Sequence, residues 1–256
     1  MNNSRTSKDL LRKELLQKRK ALTDLDVQFL SEKIKTQFKD LMKEPSMRYV
    51  KSIGFFMPIQ KEPDLTGLVS HFMKKGIACA FPKTNEEISF YKIESPDFSH
   101  FVPGKYGISE PLAKQELFLS CPDLVVVPGL AFSRKFHRIG YGKGYYYCYL
   151  SSLQNASNRK PVTVGVCYGF QLLEDFEIFP EDVSLDFILT ESFDKYVSYI
   201  TNGSIKWSAF EEKLAEIEKT KEIKASWDKY SLNENPKLLL KKVIKENDLT
   251  NVLKEI

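Results

Sequence analysis

Gly140, Gly142 and Gly144 stand at alternate positions with Tyr141 and Lys143 between them, Arg138 just upstream, and Tyr145 and Tyr146 just downstream. Glycine lets a backbone come close to a ligand and take up left-handed angles. A glycine loop that opens a helix presents unpaired N–H groups and the positive end of the helix dipole, and both favour an anion. Arg138 and Lys143 add two cations. The chemistry suited to this combination is the holding of phosphate groups. Two better-known glycine loops do not fit. A Walker A loop needs Ser or Thr after its Lys, where Gly144 stands, and a dinucleotide fingerprint needs glycine gaps of one and then two residues, where both gaps are one. On spacing alone, a plain tight turn between strand and helix stays open.

Other residues offer chemistry with bland alternatives. Lys8, Arg12 and Arg19 share a helical stripe, which by itself reads as a solvated basic face. Tyr141, Tyr145 and Tyr146 are flat aromatic walls for a heterocycle or simply core. Glu62 is an acceptor for ring N–H groups or a carboxylate drawn to a helix N-terminus. No G-x-S-x-G occurs, and His71, His100 and His137 have no evident Ser or Cys partner, which argues against a nucleophilic hydrolase. Cys148 reads as a thiol on a helix face.

The elements that must position these residues alternate between strand and helix. Thr6 with Asp9 suggests a cap for a first helix, with Leu11, Leu15 and Leu22 on its apolar stripe. Thr23 or Asp24 opens a second helix, with Val27, Leu30, Ile34, Phe38 and Leu41 facing inward. Strands are predicted over 50–56, 77–81 (ended by Pro82), 124–127, 162–168 and 187–190, with a hairpin arm over 88–93. Short helices are predicted over 65–74, closed by Gly76, and over 144–153. Such alternation predicts an α/β fold, a mainly parallel sheet flanked by helices in three Rossmann-like layers. Ligands in such sheets sit at the carboxyl ends of strands, so Met57 and the loop 133–144 should reach one cleft.

Several segments together resemble the 5-formyltetrahydrofolate cyclo-ligase family, also called methenyltetrahydrofolate synthetase. Its Pro-Gly-x-Ala-Phe-Asp strand end is similar to Pro128-Gly129-Leu130-Ala131-Phe132-Ser133. Its Arg-Leu-Gly-x-Gly-x-Gly-Tyr-Tyr-Asp run is similar to 138–147. Its basic first helix is similar to Lys8-Asp9-Leu10-Leu11-Arg12. Ile53-Gly54-Phe55-Phe56-Met57-Pro58 with Glu62, Phe101 to Pro111, and Asp182 to Glu191 match further segments in order, over about residues 7 to 195. The resemblance implies ATP-dependent closure of 5-formyltetrahydrofolate to 5,10-methenyltetrahydrofolate. It implies ATP contacts from Lys8, Arg12, Arg138, Ile139, Gly140, Tyr141, Gly142, Lys143, Gly144, Tyr145 and Tyr146. It implies folate contacts from Met57, Glu62, Tyr141, Gly142, Lys143, Gly144 and Tyr145, catalytic roles for Arg138 and Lys143, and magnesium on Asp182. The chain departs from the family at Ser133 (Asp), Phe136 (Gly), Tyr147 (Asp), Cys148 (Arg in many bacterial members) and Glu181 (His). Tyr147 replaces a magnesium-holding carboxylate, so a non-catalytic folate- or nucleotide-binding protein is the alternative reading.

Composition bounds the rest. The chain has 256 residues, a net charge of +4, 42% hydrophobic and 12% aromatic content, which suit a globular protein. The basic excess is small and spread out, favouring an anionic small molecule over nucleic acid. No apolar run approaches the roughly 20 residues that span a membrane. Cys79, Cys121, Cys148 and Cys167 stand singly, as reduced cytoplasmic thiols do. The chain is expected to divide into a cyclo-ligase-like domain over 1–200 and a helical extension over 201–256. In the extension Trp207, Phe210, Leu214 and Ile217 make an apolar stripe, expected to dock on the domain, with pairing to a partner or self-association as the alternatives.

Overall fold

The computed structural model describes residues 2–114, 117–155, 160–178 and 182–192. The described residues fall in one compact unit that ends at Ser192. The stripe at Trp207, Phe210, Leu214 and Ile217 lies outside the described residues, as does Glu181.

Four helices flank the sheets among the described residues: α1 (Asn2–Lys20), α2 (Asp24–Leu41), α3 (Leu68–Met73) and α4 (Tyr145–Asn155). The main sheet is built from β1 (Ser52–Gly54), β2 (Ala78–Thr84), β3 (Ile88–Lys92), β6 (Phe118–Leu119), β7 (Leu124–Val127), β10 (Val162–Val166) and β12 (Phe187–Leu189). Its order is β12-β10-β7-β1-β2-β3-β6. The pairings from β12 through β2 are parallel, and β3 and β6 add an antiparallel margin. A smaller sheet holds β8 (Ala131–Ser133) between β9 (Arg138–Ile139) and β11 (Leu172–Leu173), and β4 (Val102–Pro103) pairs with β5 (Ser109–Glu110).

The alternation of the strands makes the layers. Val125 and Val127 of β7 pack with Tyr149 and Leu150 of α4. Leu124 and Val126, which alternate with them, point to the opposite face, and all four are fully buried. Phe38 of α2, Phe72 of α3, Phe55 and Phe81 form one aromatic cluster, with centroids 5.8 Å apart for Phe38–Phe72 and 5.9 Å for Phe55–Phe81. The sheet therefore lies between α2 and α3 on one face and α4 on the other, as expected. Gly54 and Gly165 are required by close packing: a Cβ at Gly54 would lie 2.6 Å from the Phe90 ring and one at Gly165 2.6 Å from the Phe132 ring.

Some boundaries differ from the sequence expectation. α1 starts at Asn2, so Thr6 lies inside the helix and does not cap it. Thr23 does cap α2, with Asp26 completing the capping box. β2 continues through Pro82 to Thr84. The β1 pairing ends at Ala80, so from there β2 has a free side where a missing N–H costs no ladder bond. β1 itself is three residues long, shorter than the apolar run from Val50 to Phe56. The segment 133–144, expected as a loop, holds β9, which pairs back on β8 as a hairpin.

Candidate functional site

A cleft of about 720 Å³ opens where the carboxyl ends of β1, β2 and β7 deliver Phe56, Met57, Pro82, Thr84 and Pro128. The glycine loop forms another wall, Arg138 through Tyr147, and α1 contributes Lys8 and Arg12. Gln60, Glu62, Tyr106, Glu110 and Asp182 add further polar lining. Every residue expected to contact ATP, folate or magnesium borders this one cavity.

α1 reaches the cleft because its apolar stripe is buried. Leu15 packs on Ala131 and Ile139 of the small sheet, with Leu11 beside it. That docking turns the basic stripe inward, so it is no solvated face: Lys8 is 8% exposed and Arg19 0%. Lys8 Nζ lies 3.0 Å from Asp182 Oδ2. Arg12 Nε donates to the Gly140 carbonyl at 2.9 Å, and its Nη1 pairs with Asp9.

The glycine loop uses its three glycines differently. Gly142 (φ +85°) and Gly144 (φ +77°) are left-handed, whereas Gly140 is not. Gly140 is needed for space, since a Cβ there would lie 2.9 Å from Arg138 Nη1. The Cys148 amide bonds the Gly144 carbonyl at 2.8 Å, so the first turn of α4 begins at the loop. Arg138 sits with its guanidinium carbon 5.6 Å from the Tyr146 ring centroid. Burial pulls its pKa down to about 10, opposed by Tyr146 and Asp182, so it remains a cation at neutral pH. It has no ion pair among the described residues. The Tyr146 hydroxyl is buried without a hydrogen-bond partner, and burial raises its pKa. An unpaired cation beside an orphaned hydroxyl in a cleft fits a phosphate-bearing ligand.

The three tyrosines divide as well. Tyr141 is tied into the protein: its hydroxyl donates to Glu62 Oε1 at 2.9 Å and accepts from Arg19. Tyr145 meets Tyr106, hydroxyl to hydroxyl, at 3.2 Å, with Lys105 Nζ 5.2 Å from the Tyr145 ring centroid. The bond from Lys105 lowers the Tyr145 pKa. Glu62 is 3% exposed; burial raises its pKa against the pull of Arg19.

A metal finds little here. No three His, Cys, Asp or Glu side chains come together among the described residues. Asp182, the expected ligand, is already paired with Lys8. A hard cation at this place would depend on phosphate oxygens and water for most of its shell.

The model of the 5-formyltetrahydrofolate cyclo-ligase family matches residues 4–191. The chain belongs to this family. A 5-formyltetrahydrofolate cyclo-ligase of Mycoplasma genitalium is 30% identical over 184 residues, 71% of this chain and 96% of that protein. One from Mycoplasma pneumoniae is 29% identical over 187 residues, 72% and 98% respectively. Among solved structures, the 5,10-methenyltetrahydrofolate synthetase of Aquifex aeolicus matches with a TM-score of 0.60 and 33% identity, over 72% of this chain and 90% of that one. That of Mycoplasma pneumoniae matches with a TM-score of 0.55 and 28% identity, over 72% and 99%.

The departures from the family pattern fall in different places. Ser133 is fully buried and closes the β8–β9 turn: its amide donates to the His137 carbonyl at 2.9 Å, and its hydroxyl accepts from the His137 amide at 3.3 Å. Phe136 takes φ +65°, the geometry that suits the family's glycine, and rests its ring on the core cluster instead. Tyr147 lines the cleft. Cys148 is exposed and free, like the other three cysteines in being unbridged. Sequence reasoning missed Tyr106, Glu110 and the role of Arg19. Arg19 was visible in the basic stripe, but its burial follows from the docking of α1, which no local pattern reveals.

Proposed function

We propose that the protein is an ATP-dependent ligase that converts 5-formyltetrahydrofolate to 5,10-methenyltetrahydrofolate, releasing ADP and phosphate. The observation that carries this reading is the shared cleft: Lys8, Arg12, Arg138 and Lys143 line the same cavity as Met57, Glu62 and the tyrosines. In this reaction the formyl oxygen of the folate attacks the γ-phosphorus of ATP, and ADP departs. N10 then attacks the activated carbon, and the carbon–oxygen bond breaks to release phosphate. No protein nucleophile is needed; the demand is for alignment and neutralisation of charge. Arg138 and Lys143 supply the positive charge where phosphoryl oxygens gather. The loop glycines and the first amides of α4 supply donors. Glu62 accepts from pterin N–H groups, and Met57 and Tyr145 bound the ring. Asp182 would be the side chain to hold magnesium, which would supply neutralisation of phosphate charge.

The deciding experiment mixes protein, 5-formyltetrahydrofolate, ATP and magnesium. It follows methenyltetrahydrofolate absorbance and phosphate release together, which should rise in equal amounts. Tyr147 in the cleft and Asp182 held by Lys8 favour a second reading, a binding protein without turnover. Tight binding of both ligands with no product would establish that second reading and overturn the first.

A further inference from the structure

The C-terminal part of α1 holds a side chain whose role goes beyond packing. Arg19 has no exposed surface. Its Nε donates to the Gln60 carbonyl at 3.0 Å, its Nη1 to the Gly129 carbonyl at 3.2 Å, and its Nη2 to the Tyr141 hydroxyl. Nη1 also lies 3.7 Å from Glu62 Oε1. One guanidinium thus joins four separate pieces of chain: α1, the turn before Glu62, the end of β7 and the glycine loop.

The turn it grips is strained. Gln60 (φ +47°) and Lys61 (φ +61°) are consecutive left-handed residues, and neither is glycine. Such geometry persists only where surrounding bonds enforce it. Arg19 bonds the Gln60 carbonyl, Lys61 Nζ bonds the Leu22 carbonyl, and the Ile59 amide bonds Glu62 Oε2 at 3.1 Å. The result points a buried carboxylate into the cleft with one oxygen on Tyr141 and the other on the backbone.

We propose that Arg19 is the positioning residue of the folate site, fixing the Glu62 carboxylate and the Tyr141 phenol in one register so that the carboxylate is aimed at the pterin ring. This inference rests on the reading that Glu62 recognises pterin N–H donors. Glu62 faces Arg19 on α1, Tyr141 and Tyr146 on the glycine loop and α4, and Tyr168 after β10. Arg19 is the one cation in that set. Burial raises the Glu62 pKa and Arg19 opposes it, so loss of Arg19 should leave Glu62 protonated at a higher pH.

The test measures 5-formyltetrahydrofolate affinity of the full chain by calorimetry from pH 5.5 to 8.5, with ATP affinity and thermal melting in parallel. Glu62→Gln tests the underlying reading: it should lose about tenfold or more in folate affinity at neutral pH and lose the acid limb of the profile. If it binds folate as the unchanged protein does, the pterin reading of Glu62 fails. With that reading upheld, Arg19→Gln and Arg19→Met should weaken folate about tenfold at neutral pH and move the acid limb about one unit or more towards alkaline pH. ATP affinity should change much less, and Arg19→Lys should restore the limb by restoring the charge. An Arg19 variant that melts lower but keeps the original folate affinity and limb makes the residue a packing hub only and overturns the proposal. Where neither neutral variant folds, Tyr141→Phe decides: it keeps the ring and removes the phenol that bridges Arg19 to Glu62. It should weaken folate and move the limb the same way, and an unchanged profile in it overturns the proposed register.

Discussion

Arg138 stands half-buried over the Tyr146 ring, a cation at neutral pH with no ion pair among the described residues. A charge held in this way is costly without an anion and effective with one. Charge-assisted bonds to phosphate contribute roughly 1.5–3 kcal/mol each. Arg138→Ala should therefore weaken ATP about tenfold or more in a calorimetric titration; unchanged affinity would remove Arg138 from the nucleotide site. Tyr147 and Asp182 raise a separate question. A phenol is a poor ligand for magnesium, and a carboxylate is a good one. Tyr147→Asp should raise turnover or reduce the magnesium concentration it needs, while Asp182→Asn should lower turnover. If neither change has an effect in a magnesium titration, the metal does not use this side of the cleft. At this scale the sequence was informative about residue types: Lys8, Arg12, Arg138, Lys143 and Glu62 do meet in one cavity. It was silent about which of them are spoken for, because the Lys8–Asp182 pair joins residues far apart in the chain.

Among the elements, the glycine loop and α1 do most to shape the cleft. The alternating glycines were legible from spacing, but the division of labour was not. Gly144 needs a left-handed backbone and has open space around it, whereas Gly140 needs room for Arg138. The two substitutions should separate. Gly144→Ala places a Cβ in the left-handed region, a cost of roughly 1–2 kcal/mol, and should lower the melting temperature. Gly140→Ala pushes only the far end of a flexible side chain, so it should melt nearly as before yet weaken ATP by displacing Arg138. Melting curves and nucleotide titrations on both variants check this, and equal effects on both quantities would mean the loop acts as one unit. The strand pattern shows a similar limit. β7, four consecutive buried aliphatic residues, was evident from composition alone. β9 was not, because two residues carry no periodicity, and its pairing with β8 depends on the turn closed by Ser133. Pro82 misled for a local reason: proline ends most strands, but here β2 has already lost its neighbour on one side.

The largest question concerns the whole chain. Residues 4–191 match the family, and the compact unit that holds the described residues ends at Ser192. A structural match over 72% of this chain accounts for 99% of the solved Mycoplasma pneumoniae chain and 90% of the Aquifex aeolicus chain. At least nine tenths of each of those chains is shared with this one, so the shared portion is most of a folded protein. The three-layer arrangement gives the physical reason: α2 and α3 cover one face of the sheet, α4 covers the other, and the cleft lining comes from residues 8–183. A fragment ending at Ser192 should therefore fold, as judged by circular dichroism, and bind ATP and 5-formyltetrahydrofolate within about threefold of the full chain, a difference under 1 kcal/mol. The apolar stripe at Trp207, Phe210, Leu214 and Ile217 should contribute to stability, so the fragment should melt earlier and bind more of an apolar dye. A fragment that stays folded but loses either ligand would instead make residues 193–256 part of the site.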